Sequence, residues 1–436
     1  MEYSYITVLS NWLLGYDRYK RIYSKSNLPQ STYPEVFYLL KEDELYIGLK
    51  KANALLGKIN NENKTVFSQN KIIKINTKIE TYVYKNERNG LGWFINQNFI
   101  DVESVDIYLN GIWTSITIED LTAIAFNLKL KDYQDYNSLI PMSLSFLPIA
   151  MACEAKCKFC FSESSISSEQ KKKVKDFEEL EYWCERAKKE GAQRFVITGG
   201  GEPGILGLEK IKEILSISKK YFNKNILFTN GFFISKSENI KETVKELKSS
   251  GLSILSLSCH HYQKEKLTEI MGIDTGYLTI LDEIKNIPVD ERPKVRLICV
   301  IQKGGIDNFY EIQKYVDFAF DNNIEQICFK ELYVAATNES LYSKTKENKY
   351  CIEHQVSLSE VIDYAKNKGL NKVGELAWGS PIYQEVKEGK TLDIAAYTEP
   401  SVGWERTNGK ARSWNYMANK KCYASLEDKN SLLEKE

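Results

Sequence analysis

Cys153-Glu154-Ala155-Lys156-Cys157-Lys158-Phe159-Cys160 is the stretch that decides how the rest of the chain is read. Three of the nine cysteines fall within it, spaced C-x3-C-x2-C, and no fourth cysteine or histidine stands close by. A structural zinc takes four protein ligands. An iron–sulfur cube held by only three thiolates keeps one iron open to something that is not protein. The alternative is a zinc site that borrows a distant ligand such as Cys259, His260 or His261. An apolar run over 144–151 leads into the loop, and Phe159 and Phe161 bracket its last cysteine.

A second motif follows about forty residues on, Val196-Ile197-Thr198-Gly199-Gly200-Gly201-Glu202-Pro203. Gly200 and Gly201 lack a Cβ, so a ligand can approach the backbone closely. Glu202, or the carbonyls beside it, offers acceptors to an ammonium group. Alone, such a string is a common turn composition. Its position after an expected strand, and after the cysteine loop, makes it informative.

Taken together, Cys153, Cys157, Phe159 and Cys160 resemble the C-x3-C-x-aromatic-C signature of radical S-adenosylmethionine (radical SAM) enzymes, and 199–202 resembles that family's Gly-Gly-Glu motif. The resemblance covers about residues 143–333. It implies a [4Fe–4S] cluster on Cys153, Cys157 and Cys160, with SAM on the open iron. Reduction, by an electron donor such as flavodoxin or ferredoxin, then yields methionine and a 5′-deoxyadenosyl radical. By the same resemblance Phe159 packs near the SAM adenine, Gly200, Gly201 and Glu202 receive the methionyl amine, Ser256 and Ser258 contact ribose or carboxylate, and Ile301 lies against adenine.

The fold reading agrees. From Ser143 the sequence alternates strand and helix patterns, which calls for a parallel sheet with crossover helices. Strands are expected at about 143–151, 193–199, 225–229, 252–258, 294–302 and 325–332. Helices are expected at about 176–190, 207–221, 236–250, 275–287 and 308–323, with Gly191 and Gly251 as left-handed C-terminal residues. The expected class is α/β, a partial (β/α)6 barrel over 141–335. An N-terminal α+β extension (1–140) precedes it, and a C-terminal cover over the barrel mouth (336–436) follows. In such sheets the site lies at the carboxyl ends of the strands, where both motifs fall.

In the N-terminal part, 72–84 alternates like one half-buried strand, and Asn110-Gly111 signals a tight hairpin. A short helix near Trp12 and a capped helix over 121–128 are also expected. This part is read as a substrate or leader-peptide recognition element, or as a packing extension. A further helix is expected at 357–369, and the tail over 395–427 is rich in aromatic and charged residues.

Composition narrows the function class. Lys plus Arg number 59 and Asp plus Glu 59, a net charge near zero that gives no support to general nucleic-acid binding or a membrane-surface role. The Lys171–Lys175 run reads as a solvated helix start. The cysteine spacing is not a disulfide framework. No signal peptide or membrane-spanning stretch is expected, and thiolate metal ligands fit a cytoplasmic location.

The expected activity is hydrogen abstraction from carbon of a peptide or natural-product intermediate. A nucleotide or sugar substrate is the alternative within enzymes, and a non-catalytic iron–sulfur or zinc sensor the alternative outside them. The catalytic candidates are His260 at the rim and two thiols, Cys259 and Cys422, that would serve as hydrogen donors. Cys184, Cys299, Cys328 and Cys351 are read as core residues. The tail carries no further cysteine group, so one cluster is expected.

Overall fold

The computed structural model describes strands within 37–117 and, more fully, residues 134–169, 177–334, 341–342, 345–400 and 402–435. The chain divides into two units, Met1–Tyr133 and Gln134–Glu436.

The first unit contains β1 (Phe37–Lys41), β2 (Glu44–Gly48), β3 (Ile72–Thr77), β4 (Thr81–Val83), β5 (Trp93–Ile95), β6 (Val102–Leu109) and β7 (Ile112–Thr117). An antiparallel sheet runs β1-β2-β3-β6-β7, and β4 pairs only with β5. The single strand expected over 72–84 is therefore two strands in two sheets, with the register of β3 against β6 shifting between Asn76 and Thr77. In the hairpin, Leu109 pairs with Ile112 and leaves Asn110-Gly111 between the strands, the two-residue spacing expected. The helices expected near Trp12 and at 121–128, and the Lys171–Lys175 run, lie outside the described residues.

The second unit is built on a parallel sheet. After β8 (Ile140–Pro141) come β9 (Leu144–Leu147), α1 (Glu178–Lys189), β10 (Phe195–Ile197), α2 (Leu208–Ser218), β11 (Asn225–Thr229), the short α3 (Phe232–Ser235) and α4 (Ile240–Ser249). Then follow β12 (Ile254–Ser258), α5 (Lys264–Met271), α6 (Tyr277–Ile284), β13 (Lys294–Ile301), α7 (Phe309–Asp321) and β14 (Gln326–Glu331). Strands β9 to β14 pair in sequence order and all in parallel. This is the α/β arrangement expected, with every expected core strand and helix present.

Local sequence explains these elements. In α7 the residues Ile312, Tyr315, Val316, Ala319 and Phe320 are buried, a stripe at helical spacing that faces the sheet. Asn308 caps it by accepting the N–H groups of Tyr310 and Glu311. Gly191 (φ 116) and Gly251 (φ 115) end α1 and α4 in the positive-φ region, as expected. Strand β13 is buried on both faces, as a sheet covered by helices requires.

The C-terminal residues extend the same sheet. They supply α8 (Lys346–His354), α9 (Ser359–Asn367), β15 (Asn371–Glu375), β16 (Pro381–Lys387), β17 (Lys390–Tyr397), α10 (Val402–Asn408), β18 (Lys410–Ala411), β19 (Trp414–Met417) and β20 (Cys422–Tyr423). Strand β17 pairs in parallel with β14, and β19 in parallel with β9, so the tail flanks the repeat on both edges. Antiparallel β16 and β20 continue outward from them. No helix among the described residues is long and apolar enough to cross a membrane.

Candidate active site

Strand alternation sorts the residues. Leu255, Leu257 and Cys259 join the main core between sheet and helices, as do Val295, Leu297, Cys299 and Ile301. Their neighbours face the other way. Val196, Ile226 and Ile254 form one small inward cluster with Phe228. Val300 forms another with Leu332, Val334 and Cys351, against Phe159 and Phe161.

Behind β9, the cysteine loop places Cys153 and Cys157 half-buried and Cys160 exposed. The amide of Cys160 donates to the Cys157 carbonyl at 3.1 Å, folding the loop back on itself. Burial pushes the Cys157 thiol up to about 12, and negative charge at Cys160 and Cys153 pushes it in the same direction. Burial likewise pushes Cys153 up to about 11. Such thiols become thiolates only beside a compensating cation, which an iron cluster provides. Among the described residues, no three His, Cys, Asp or Glu side chains converge on a single metal ion.

The glycine run abuts this loop. A Cβ on Gly200 would stand 2.0 Å from the Ala150 carbonyl oxygen and 2.4 Å from Ser167 Oγ. One on Gly201 would stand 2.2 Å from the Ala152 carbonyl oxygen. The backbone needs glycine there to nest against the segment that leads into Cys153. Glu202 is 4% exposed and turned inward. It accepts the Gly204 amide at 2.8 Å, the Thr229 hydroxyl at 2.6 Å and the Asn230 amide at 2.8 Å. Burial pushes its carboxyl up to about 7, against the pull of those three donors. Glu202 thus braces the loop after β10 against the end of β11. Asn230 Nδ2 also points to Cys153 Sγ, at 3.8 Å.

The rim residues separate into two groups. His260 is buried, stands edge-on to Phe159 with ring centroids 5.1 Å apart, and accepts the Val300 amide on Nδ1. Burial pulls it down to about 3, so the ring is neutral and carries its proton on Nε2. Ser256 is buried with no partner for its hydroxyl among the described residues, and so is the Gln302 Nε2 amide at the end of β13. Such orphaned groups suit a ligand rather than an apolar filling.

Three of the expected site residues lie in the core. Cys259 is fully buried in the helix-side core, where its thiol donates to the His261 carbonyl. Cys422 is fully buried in the same core. Strand alternation turns Cys259 toward the helices, and neither thiol is exposed. Ile301 is fully buried toward the helices, and Val300 is the residue of β13 in the cluster against which Phe159 packs. His261 is also occupied, accepting the Gln263 amide on Nδ1 and lying 3.7 Å from Glu311. Neither it nor Cys259 is free to complete a zinc site.

A cleft of about 260 Å³ opens beside Cys160, Gly199 and Gly200. One side carries Lys330 of β14 and Glu399 beyond β17, the other Leu147 of β9 with Arg412 and Asn415 around β19. Tyr333, Tyr342, Glu405 and Glu427 also line it. Of the pair Lys330-Glu331, Lys330 is the one that reaches the cleft. Composition marked the tail as aromatic and charged, but only the sheet pairing brings Glu399 and Arg412 to this place.

Residues 147–292 match the model of the Radical SAM superfamily. A GTP 3′,8-cyclase of Aquifex aeolicus is 29% identical over 174 residues, 38% of this chain and 50% of that protein. A cysteine-type anaerobic sulfatase-maturating enzyme of Clostridium perfringens is 27% identical over 206 residues, 44% of this chain and 53% of that protein. The chain spans about half the length of these curated relatives. Among solved structures, Streptococcus suis SuiB bound to S-adenosylmethionine aligns with 73% of this chain and 67% of its own, at 19% identity and a TM-score of 0.44.

Proposed function

We propose, from the premise that this chain belongs to the radical SAM superfamily through residues 147–292, that it cleaves SAM reductively and abstracts hydrogen from carbon of a peptide or natural-product intermediate. The observation that carries this reading is the meeting of a loop with three free cysteines, a glycine run that tolerates no Cβ, and a cleft that touches both.

Cys153, Cys157 and Cys160 would hold the cluster, leaving one iron without a protein ligand. Bound there, the reduced cluster supplies the electron that splits SAM into methionine and a 5′-deoxyadenosyl radical. The carbonyls of Gly199, Gly200 and Gly201 would receive the methionyl amine, with Glu202 holding their loop in position. Phe159 and Val300 offer an apolar surface to a base, and the unpartnered Ser256 hydroxyl and Gln302 amide offer polar contacts. Neutral His260 can donate a hydrogen bond from Nε2 but is not a general base at neutral pH. Phe161, Tyr333 and Tyr342 give the cleft an aromatic wall.

The two curated relatives point to different substrates, one named for maturing a sulfatase and the other for cyclising GTP. The cleft favours the first class. Its two cations, Lys330 and Arg412, already share Glu399, which leaves a single net positive charge between them. A triphosphate would find too little positive charge there. A sensor of iron or redox state, in turn, has no need of a cofactor cradle beside its cysteines.

Anaerobic reconstitution with iron and sulfide, reduction in the presence of SAM, and chromatography for 5′-deoxyadenosine test the reading. Product from the native chain and none from Cys157→Ala is the expected result. Tightly held zinc, with neither cluster absorbance nor product, would overturn it.

A further inference from the structure

Lys330 and Arg412 reach the two oxygens of the same carboxylate in the cleft. Lys330 Nζ lies 2.5 Å from Glu399 Oε1, Arg412 Nη1 meets Oε2, and the Tyr397 hydroxyl donates to Oε2 at 3.0 Å. The Glu399 side chain is 12% exposed, whereas Lys330 and Arg412 keep 34% and 32% of theirs open. An ammonium carries three donors and a guanidinium five. Among the described residues, Glu399 is the only acceptor that the two side chains use, and Lys330 otherwise lies over the Tyr397 ring at 5.6 Å.

Two cations therefore face one compensating carboxylate and retain spare donors in the cleft. Glu405 does not restore the balance. It is buried, which pushes its carboxyl well above the ordinary range, and its Oε1 accepts the Arg412 amide. Glu427 receives the Tyr333 hydroxyl at 2.7 Å. A buried ion triad contributes little to stability compared with an apolar filling of the same volume. Beside the cations the wall is aromatic, with Phe161 stacked on Tyr342 at 4.4 Å.

We propose that Lys330 and Arg412, oriented by Glu399, form a carboxylate-binding subsite for the substrate, with the Phe161–Tyr342 wall taking the apolar part next to it. The inference rests on the reading of Cys153, Cys157 and Cys160 as the catalytic centre, since it is their neighbourhood that makes this cleft the substrate's. The carboxylate belongs either to an acidic residue of a peptide or to a small free acid. A guanidinium fork and an ammonium at this spacing suit one planar anion of single charge.

The test is calorimetry on the reconstituted holoenzyme with SAM present. The probes are 3-phenylpropionate against 3-phenylpropionamide, and N-acetyl-glutamyl-phenylalanine amide against its glutaminyl counterpart. The expected result is that at least one acid binds about tenfold more tightly than its amide, the margin of a charge-assisted hydrogen bond. That margin should vanish in Arg412→Gln and Lys330→Met and survive in part in Arg412→Lys. Preference for the peptide acid assigns the subsite to a peptide side chain, and preference for the free acid assigns it to a small molecule. Equal binding of acids and amides, no binding of either, or a margin unchanged in the variants overturns the proposal. So does a comparable loss of SAM affinity in the variants, which would give the two cations to the cofactor. Cluster absorbance separates the two readings. With the cluster formed and no acid preference, only the subsite fails, whereas a chain that forms no cluster removes the proposed function as well.

Discussion

The carboxylate of Glu202 accepts the hydroxyl of Thr229 at 2.6 Å. That bond, with the Asn230 amide on the other oxygen, ties the glycine loop behind β10 to the end of β11. Asn230 in turn reaches Cys153. The acidic residue of the motif therefore links β11 to the cysteine loop through structure.

This predicts a pH signature. Burial raises the folded carboxyl from 4.5 to about 7, so between those values the folded state holds a proton that the unfolded state has released. The associated stability is fully present below about pH 4.5 and is lost as pH rises to about 7. In Glu202→Gln that segment of the stability curve should flatten. The amide also sets a donor against the Asn230 N–H, at a cost of about 1–3 kcal/mol. Urea unfolding of the apo chain from pH 4.5 to 8 checks this. Parallel curves for the two proteins would mean that Glu202 titrates normally.

Gly201 offers a sharper test of the cradle. A methyl there meets the Ala152 carbonyl oxygen at 2.2 Å, which only a shift of the segment before Cys153 can relieve. Gly201→Ala should cost about 1–3 kcal/mol and cut iron incorporation to well under half. Gly374→Ala is the control, because its Cβ finds nothing nearer than 3.7 Å. Equal iron content in both variants would show that the loop tolerates the methyl.

Cysteine accessibility follows from burial. Cys160 is exposed, while Cys184, Cys259, Cys299, Cys351 and Cys422 are buried. Brief alkylation of the folded apo chain, read by peptide mass spectrometry, should label Cys160 first and the buried five only after denaturation. Early labelling of Cys259 or Cys422 would restore them as hydrogen donors.

Much of this was legible in the sequence, and the limits have physical causes. The β/α repeat announced itself because the crossover helices carry apolar stripes, and α4 and α7 begin at capping asparagines, Asn239 and Asn308. The cysteine loop was legible because its three cysteines are local in sequence. Strand parity at the rim was not. Whether Ile301 or Val300 faces inward depends on where β13 begins its alternation, and both neighbours are apolar. Nor was the Lys330–Glu399–Arg412 group, because β17 and β19 join the sheet by pairing with strands far away in sequence.

Parity can be measured directly. Ile301 sits in the helix-side core, so Ile301→Ala should cost about 2–5 kcal/mol and leave the SAM dissociation constant of the reconstituted protein unchanged. Val300 packs with Phe159, so Val300→Ala should weaken SAM binding several-fold at a smaller stability cost. The reverse pattern would put Ile301 against the cofactor and shift the register of β13 by one residue.

The ion triad makes a different prediction, because its defect is electrostatic. Glu399→Gln leaves Lys330 and Arg412 facing each other without a carboxylate between them. Losing one partner of a buried pair costs about 3–5 kcal/mol, but both cations are about a third exposed, so solvent should reduce the loss to about 1–2 kcal/mol. Unlike a cavity defect, this one responds to salt. Raising sodium chloride from low concentration to about 1 M shortens the screening length to roughly 3 Å, and the gap in melting temperature between variant and native chain should narrow with it. A deficit that salt does not touch would mean that Glu399 serves packing, and that the two cations are not held in the cleft by its charge.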